Sequence, residues 1–157
     1  DILKLDIDEL AGFRGIYTGM IFTKHNLIPK FTARENIVIP AIISGRAKHT
    51  YEEHYKKIIN LLGVSDFENT AVSSLSEVQC QRAGAARALI NRPQVLFADD
   101  PASVLDEREG VDYLNALYNT ARALGLTVIY AARDLQSAIR YDRSFRMVEG
   151  FITPDLQ

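Results

Sequence analysis

Two carboxylates, Asp99 and Asp100, close a short apolar run, Gln94–Ala98 (QVLFA). If that run is a buried strand, they stand at its carboxyl end, where open α/β sheets bind their ligands. A carboxylate there can hold a magnesium ion beside phosphate groups. Upstream, Ser76 and Gln79 have the spacing of a capping box, in which each side chain satisfies a backbone N–H at a helix start. The helix they open is rich in small residues, Ala83, Gly84, Ala85, Ala86 and Ala88, so it can lie close to a neighbour. Each piece has a plain reading: an Asp pair after a strand more often solvates a loop or caps a helix, and a capped, alanine-rich helix needs no function. The order and spacing of the pieces together point further. His25, His49 and His54 show no metal-ligand spacing and read as surface residues. Cys80 lies near a helix N-terminus, which can lower a thiol pKa, but it reads as a packed, inert cysteine.

These residues need a layered framework to hold them. Ile16–Phe22, Gln94–Ala98 and Leu126–Ala131 are apolar on both parities, the pattern of parallel strands covered on both faces. Phe145–Val148 is a weaker fourth strand. Between them, Thr50 and Glu53 have capping-box spacing, with Tyr55, Ile58, Ile59 and Leu62 on one helical face and Gly63 as a stop. A second helix is expected from about Glu107 to Leu124, with a stripe of Val111, Leu114, Leu117, Tyr118 and Ala121 ended by Gly125. Helices alternating with buried strands give an α/β fold.

The 157 residues suit one domain. With 47% hydrophobic and 24% charged residues the composition is globular, and a net charge of −2 gives no reason to expect nucleic acid. A single cysteine cannot form an internal disulfide, which favours a reducing compartment. No apolar run approaches the ~20 residues that span a bilayer, and no secretory leader is visible. Association with a membrane would therefore go through a partner protein. The chain begins at Asp1 rather than Met, which suggests a piece of a longer sequence.

The stretch LSEVQCQRAGAARALINRPQVLFADDP, Leu75 to Pro101, resembles the signature motif, following helix and Walker B strand of ABC transporter ATPases, whose usual form is LSGGQ…QR…ARAL…P…hhhhDEP. Ser103-Val104-Leu105-Asp106 resembles the D-loop, and LTVIYAARD (Leu126–Asp134) the strand leading to the switch histidine. MIFTKHNLIPKFTARENI (Met20–Ile37) is similar to the Q-loop strand and the start of the helical subdomain, and DIDELAGFR (Asp6–Arg14) suits the segment before it. The match is nearest the lipoprotein-release, macrolide-export and bacitracin-resistance branch. It implies a partial P-loop NTPase fold over 1–157: one incomplete domain with a mostly parallel sheet flanked by helices and a helical subdomain at 27–75. In the family, ATP and Mg²⁺ bind at residues corresponding to Asp99 (metal), Asp100 (general base), Thr23 (Q-loop), Arg133 (switch), Asp106 (D-loop) and, across a dimer, Ser76, Glu77, Val78 and Gln79.

The departures from the family pattern are systematic. These residues contain no Gly-x-x-x-x-Gly-Lys-Ser/Thr, the loop that cradles phosphates, which the resemblance would place ahead of Asp1. The Q-loop glutamine position holds Thr23, which is shorter. Glu77 and Val78 replace the two signature glycines, whose amides approach the partner subunit's γ-phosphate. Unit charges about 4 Å apart repel by about 4 kcal/mol at an effective dielectric of ~20, so Glu77 opposes that approach. Asp100 is one methylene shorter than the usual glutamate, and a misplacement of about 1 Å can cost ~100-fold in rate. Arg133 cannot act as a neutral hydrogen-bonding partner, but it is long enough to pair with Asp99 or Asp100 and fill the phosphate site internally.

The resemblance thus leads to an ABC ATPase subunit that as this chain hydrolyses no ATP and binds neither ATP nor Mg²⁺ appreciably. Its role would be to bind a transmembrane permease subunit, a second ATPase subunit or a second copy of itself. It would be cytoplasmic and peripheral to the inner membrane, with no direct insertion and no nucleic acid. The alternative is a fragment of an active ATPase. The permease-facing surface is expected around Leu27–Arg46, with most of Pro29, Phe31, Ile37, Ile39, Ile42 and Ile43 serving as local core. Without the Walker A strand, Leu126–Ala131 and Phe145–Val148 are expected to pair directly, to recruit Ile2–Ile7 as a substitute strand, or to join a second molecule.

Overall fold

The computed structural model describes residues 1–133 and 142–154. In chain order these form helix α1 (Ile7–Tyr17), strand β1 (Thr18–Ile21), α2 (Ala33–Ile43), α3 (Lys48–Leu61), α4 (Glu77–Leu89), β2 (Val95–Asp99), α5 (Glu107–Leu124), β3 (Thr127–Ala131), β4 (Phe145–Val148) and β5 (Phe151–Pro154). Strands β1, β2 and β3 make one parallel sheet in that order, as the doubly apolar runs require. The architecture is the expected α/β one, a parallel sheet flanked by helices.

Side chains alternate across the sheet. Ile21, Leu96 and Ala98 are buried on the face that meets the helices, and Val128 and Tyr130 pack against the same core. The opposite face carries a cross-strand row, Met20–Phe97–Ile129, exposed by 45%, 37% and 52%. Helix α4 lies on the covered face, and β1 approaches it so closely that a side chain on Gly19 would collide with the Ala88 carbonyl oxygen. Ala83, Ala85, Ala86 and Leu89 of α4 are buried in the core with Tyr55 and Ile58 of α3 and Tyr113, Leu114 and Leu117 of α5.

Arg34 on α2 ties the smaller helices together. Its guanidinium makes a two-pronged pair with Glu52 of α3 at 2.8 and 3.0 Å, reaches Glu68 at 3.2 Å and lies 4.4 Å from the Tyr55 ring centroid. The hydrogen bond from Arg34 holds the Glu52 carboxyl below its ordinary pKa. The Tyr55 hydroxyl donates to Glu68, and burial pushes its pKa up.

Several expectations are corrected. Helix α3 starts at Lys48 after Ala47 rather than at Thr50, because the Thr50 hydroxyl donates back to Ala47 O at 2.7 Å within the first turn. Ile16 and Tyr17 belong to α1, not to a strand. Ile2–Ile7 forms no substitute strand: Ile2–Lys4 is a 3₁₀ turn, and Asp6 with Glu9 makes a capping box that starts α1. Phe145–Val148 is a strand, but it pairs antiparallel with β5 instead of with β3. The cause is local: Glu149 and Gly150 both have positive φ, +49° and +84°, the signature of a tight hairpin turn. Among the described residues the outer edge of β3 has no strand partner. On α5, Gly125 ends the helix at φ +63° as expected, but Val111 is exposed while Tyr113 and Thr120 are buried. Of the apolar residues of 27–46 offered as core, only Ile37 is fully buried; Ile42 and Ile43 are 58% and 80% exposed. The face that α2 turns inward is Ala33, Ile37 and Ala41, four residues apart, which leaves 42 and 43 on the other side. His54 is buried rather than on the surface; its Nε2 donates to Leu89 O at 3.0 Å.

Two measurements test this packing. Gly19→Ala forces the backbone off Ala88 and should destabilise the chain by about 1–3 kcal/mol, as overpacking does. Gly12→Ala on α1, where nothing lies within 4 Å, should be neutral or stabilising in the same urea titration. The second concerns acid. Burial holds the His54 pKa below its ordinary value, with Arg92, Lys57 and Arg46 acting the same way. The unfolded chain therefore takes up the proton first, at about pH 6.5, and stability should fall as pH drops below that value. The urea midpoint should decline between pH 7 and pH 5.5, and His54→Gln, which keeps an N–H donor, should remove most of that decline.

Candidate functional site

The sheet brings four of the sequence-marked residues to one end. Thr23 follows β1, Asp99 ends β2, Asp100 follows it, and Arg133 lies two residues beyond β3. The Thr23 hydroxyl donates to Asp99 O at 2.9 Å. The Asp100 N–H donates to Ala131 O at 2.8 Å. Because a peptide unit is planar, the Asp99 carbonyl and the Asp100 amide form one rigid plate, pinned by β1 on one side and β3 on the other. Beyond the plate Asp100 adopts φ +44°, a left-handed conformation that costs a non-glycine residue energy and persists only where its surroundings enforce it. Here Ser103 enforces it, donating from its N–H at 3.2 Å and from its hydroxyl at 2.8 Å to Asp100 O.

The strained turn aims the Asp100 carboxylate at Arg133. Nε donates to Oδ2 at 3.0 Å, with the Asp100 side chain largely buried and Arg133 85% exposed. The internal pair expected from the length of arginine is therefore formed, with Asp100 and not with Asp99. Asp99 is exposed, and its carboxylate has no hydrogen-bond partner among the described residues. Asp134, the last residue of the switch-like stretch, lies outside them.

The remaining candidates sit elsewhere. Ser76 caps α4: its hydroxyl accepts from Gln79 N at 3.4 Å while Gln79 Oε1 accepts from Ser76 N at 2.9 Å. Glu77 is the exposed first residue of the helix, and Val78 is half-buried against the core. Asp106 caps α5, accepting from Glu109 N at 2.8 Å. Val78 and Asp106 both line an open groove of about 450 Å³, with Arg82, Arg108, Glu109 and Asp112 around them. Cys80 is buried, and desolvation pushes its thiol pKa up, so it is inert.

For magnesium, the strand ends offer the exposed carboxylate of Asp99, and the described residues hold no cluster of three His, Cys, Asp or Glu. One carboxylate suffices for an ion whose other ligands are water and phosphate. Asp99 thus fits the metal, while Thr23, engaged with a carbonyl, and Asp100, engaged with Arg133, are occupied by the protein itself.

Sequence reading missed Gln81 and Arg87 of α4. Gln81 is fully buried, and its Nε2 donates to Thr23 O at 2.6 Å. Arg87 donates to Asn26 O at 2.7 Å and to His25 O at 2.8 Å. The available signal was a pair of polar residues on the small-residue face of α4, around Gly84.

The ABC transporter family matches residues 6–103. The lipoprotein-releasing system ATP-binding protein LolD of Bacteroides thetaiotaomicron is 36% identical over 154 residues, covering 98% of this chain and 71% of that protein. The macrolide export ATP-binding/permease protein MacB of Burkholderia pseudomallei is 37% identical over 152 residues, covering 97% of this chain and 23% of its own length. An ATP-binding cassette solved as a dimer in a post-hydrolysis state with ADP and Pi superposes with a TM-score of 0.69 at 34% identity, over 86% of this chain and 60% of that one. The order of the motifs, the strand-end carboxylates and these likenesses converge, and the chain belongs to the ABC transporter family, as an ATP-binding domain of the branch that includes LolD and MacB.

Proposed function

We propose that this ATP-binding domain is held out of the hydrolytic cycle and acts by binding, to a transmembrane permease, to a sister ATPase subunit or to a second copy of itself. The Asp100–Arg133 ion pair carries the reading. In the resemblance Asp100 occupies the general-base position and Arg133 the switch position, and a carboxylate spent on a guanidinium is a poor acceptor for the proton of an attacking water. Mg²⁺ with ATP would supply a polarised phosphoryl group. Asp99 is the residue that would hold that ion; what this chain's own residues do is fix the Asp99–Asp100 plate through Thr23 and direct Asp100 toward Arg133. At the signature position Glu77 sets a negative charge, and Val78 a side chain, where the family has bare amides. Ser76 and Gln79 are spent on capping α4, and Asp106 on capping α5.

Residues 27–75 serve as the helical subdomain, and their exposed Phe31, Ile42 and Ile43 suit a permease contact. None of the helices among the described residues is long and apolar enough to cross a membrane, so a cytoplasmic position at the inner membrane would come through that partner. LolD and MacB are named for lipoprotein release and macrolide export, and a transport role through a permease partner is the corresponding expectation. A second reading, part of a longer and hydrolysing subunit, draws on the free carboxylate of Asp99.

Two experiments separate these readings. In a thermal melt of the 157-residue chain, Mg-ATP at sub-millimolar concentration should produce no shift, since only a ligand bound to the folded state raises stability. A rise of several degrees would overturn the proposal. Next, a Walker A half can be fused upstream, with and without Thr23→Gln, Glu77→Gly, Val78→Gly, Asp100→Glu and Arg133→His. The unreverted fusion should hydrolyse ATP at least ~100-fold more slowly than the reverted one, the scale of a misplaced catalytic group. Equal rates would favour the second reading.

A further inference from the structure

We infer that Gln81 and Arg87 form a clasp by which α4 sets the position of Asp100, making them positioning residues for the strand-end site. This goes beyond the proposed inactivity and stands whether or not the chain hydrolyses ATP.

The segment 23–26 crosses between α4 and the strand ends and is fastened on both sides. On the helix side Gln81 holds Thr23 O, and Arg87 grips the two successive carbonyls of His25 and Asn26. Arg87 is mostly buried and makes these bonds to backbone alone; desolvation lowers its pKa. A planar guanidinium with a fixed fork of donors suits two neighbouring carbonyls, as a lysine would not. Asn26 sits at φ +49°, a conformation that the Arg87 grip helps to maintain. The segment packs on the helix: a side chain on Gly84 would meet His25 at an ordinary contact distance of 3.6 Å. On the strand side the Thr23 hydroxyl holds Asp99 O.

These links form one continuous route. Gln81 fixes the Thr23 backbone, and Thr23 fixes the Asp99–Asp100 plate. The plate fixes the peptide unit from which the left-handed turn at Asp100 departs, Ser103 holds that turn, and the turn aims its carboxylate at Arg133. The Ser76–Gln79 end belongs to the same rigid helix as Gln81. A displacement of that end by a docking partner must therefore move 23–26 or break the clasp. Among the described residues Gln81 Oε1 has no hydrogen-bond partner although it is buried. The side chain is thus kept in the core at a cost, and the bond to Thr23 O is what it provides in return.

The test is amide hydrogen exchange on the full chain. Gln81→Leu keeps the bulk and removes the donor. It should speed exchange about tenfold across 23–27 and at Asp99 and Asp100, leaving α3 and the centre of α5 unchanged. In a Thr23→Val background the same substitution should still loosen 23–27 but add nothing at Asp99 and Asp100, because the link to the plate is already cut. Arg87→Lys, which can satisfy one carbonyl at a time, should give a smaller change in the same two segments, and it carries the same cycle if Gln81→Leu does not fold. The Arg133 Nε–H resonance should shift with the Asp99 and Asp100 amides in each variant. Exchange that rises equally in α3 and α5, or at Asp99 and Asp100 regardless of Thr23→Val, would reduce these residues to general packing and overturn the inference.

Discussion

Helix α4 must touch more neighbours than an ordinary helix can, and that requirement governs the rest of the structure. It lies against β1, the 23–26 segment, α2, α3 and α5. Ordinary interaxial distances of 8–10 Å leave no room for large side chains on all these sides. Alanine and glycine at 83–86 and 88 provide the room on the helix, and Gly19 provides it on the strand. Close approach then turns backbone carbonyls into the available partners. Hence the polar residues on α4 bond to main chain rather than to side chains: Gln81 to Thr23, Arg82 to Leu62, Arg87 to His25 and Asn26.

Charge at the strand ends follows from this arrangement. Two adjacent carboxylates would repel if both faced the same space, and the chain separates them by conformation. Asp99 keeps extended strand geometry and points to solvent, while Asp100 turns left-handed and takes Arg133 as its counter-ion. The pair is only half screened from water, since Arg133 is mostly exposed. Exposed pairs are worth little in stability, so its consequence lies in where the Asp100 oxygens point rather than in holding the fold together.

Much of this was legible in the sequence because it rests on local rules. The parallel strands followed from runs apolar on both parities, and α5 from its stripe and Gly125. The reach of Arg133 toward a strand-end carboxylate followed from side-chain length. What was not legible depends on tertiary context. Thr50 had the right spacing for a cap, but its hydroxyl found Ala47 O instead. His54 looked like a polar residue on an amphipathic helix until Leu89 O appeared beside it. The β4–β5 hairpin was hidden because Glu149-Gly150 carries only one glycine and Glu149 must itself adopt positive φ. The clasp of Gln81 and Arg87 joins positions about sixty residues apart, beyond any local pattern.

The remaining feature is the sheet's second face. Parallel sheets occur almost only with both faces covered, because their strands carry apolar residues on both parities. Met20, Phe97 and Ile129 form such a face, in register across all three strands, yet among the described residues nothing buries them. The outer edge of β3 lies beside the same row, with Ile129 on it. An open apolar edge next to an open apolar face invites association, and both belong to the sheet that positions Asp99 and Asp100. Any protein layer that covers the row, whether from the same polypeptide or another, would therefore bear directly on the strands that end at the site. The same three strands thus carry the open apolar row on one face and lead, through β2, to Asp99 and Asp100.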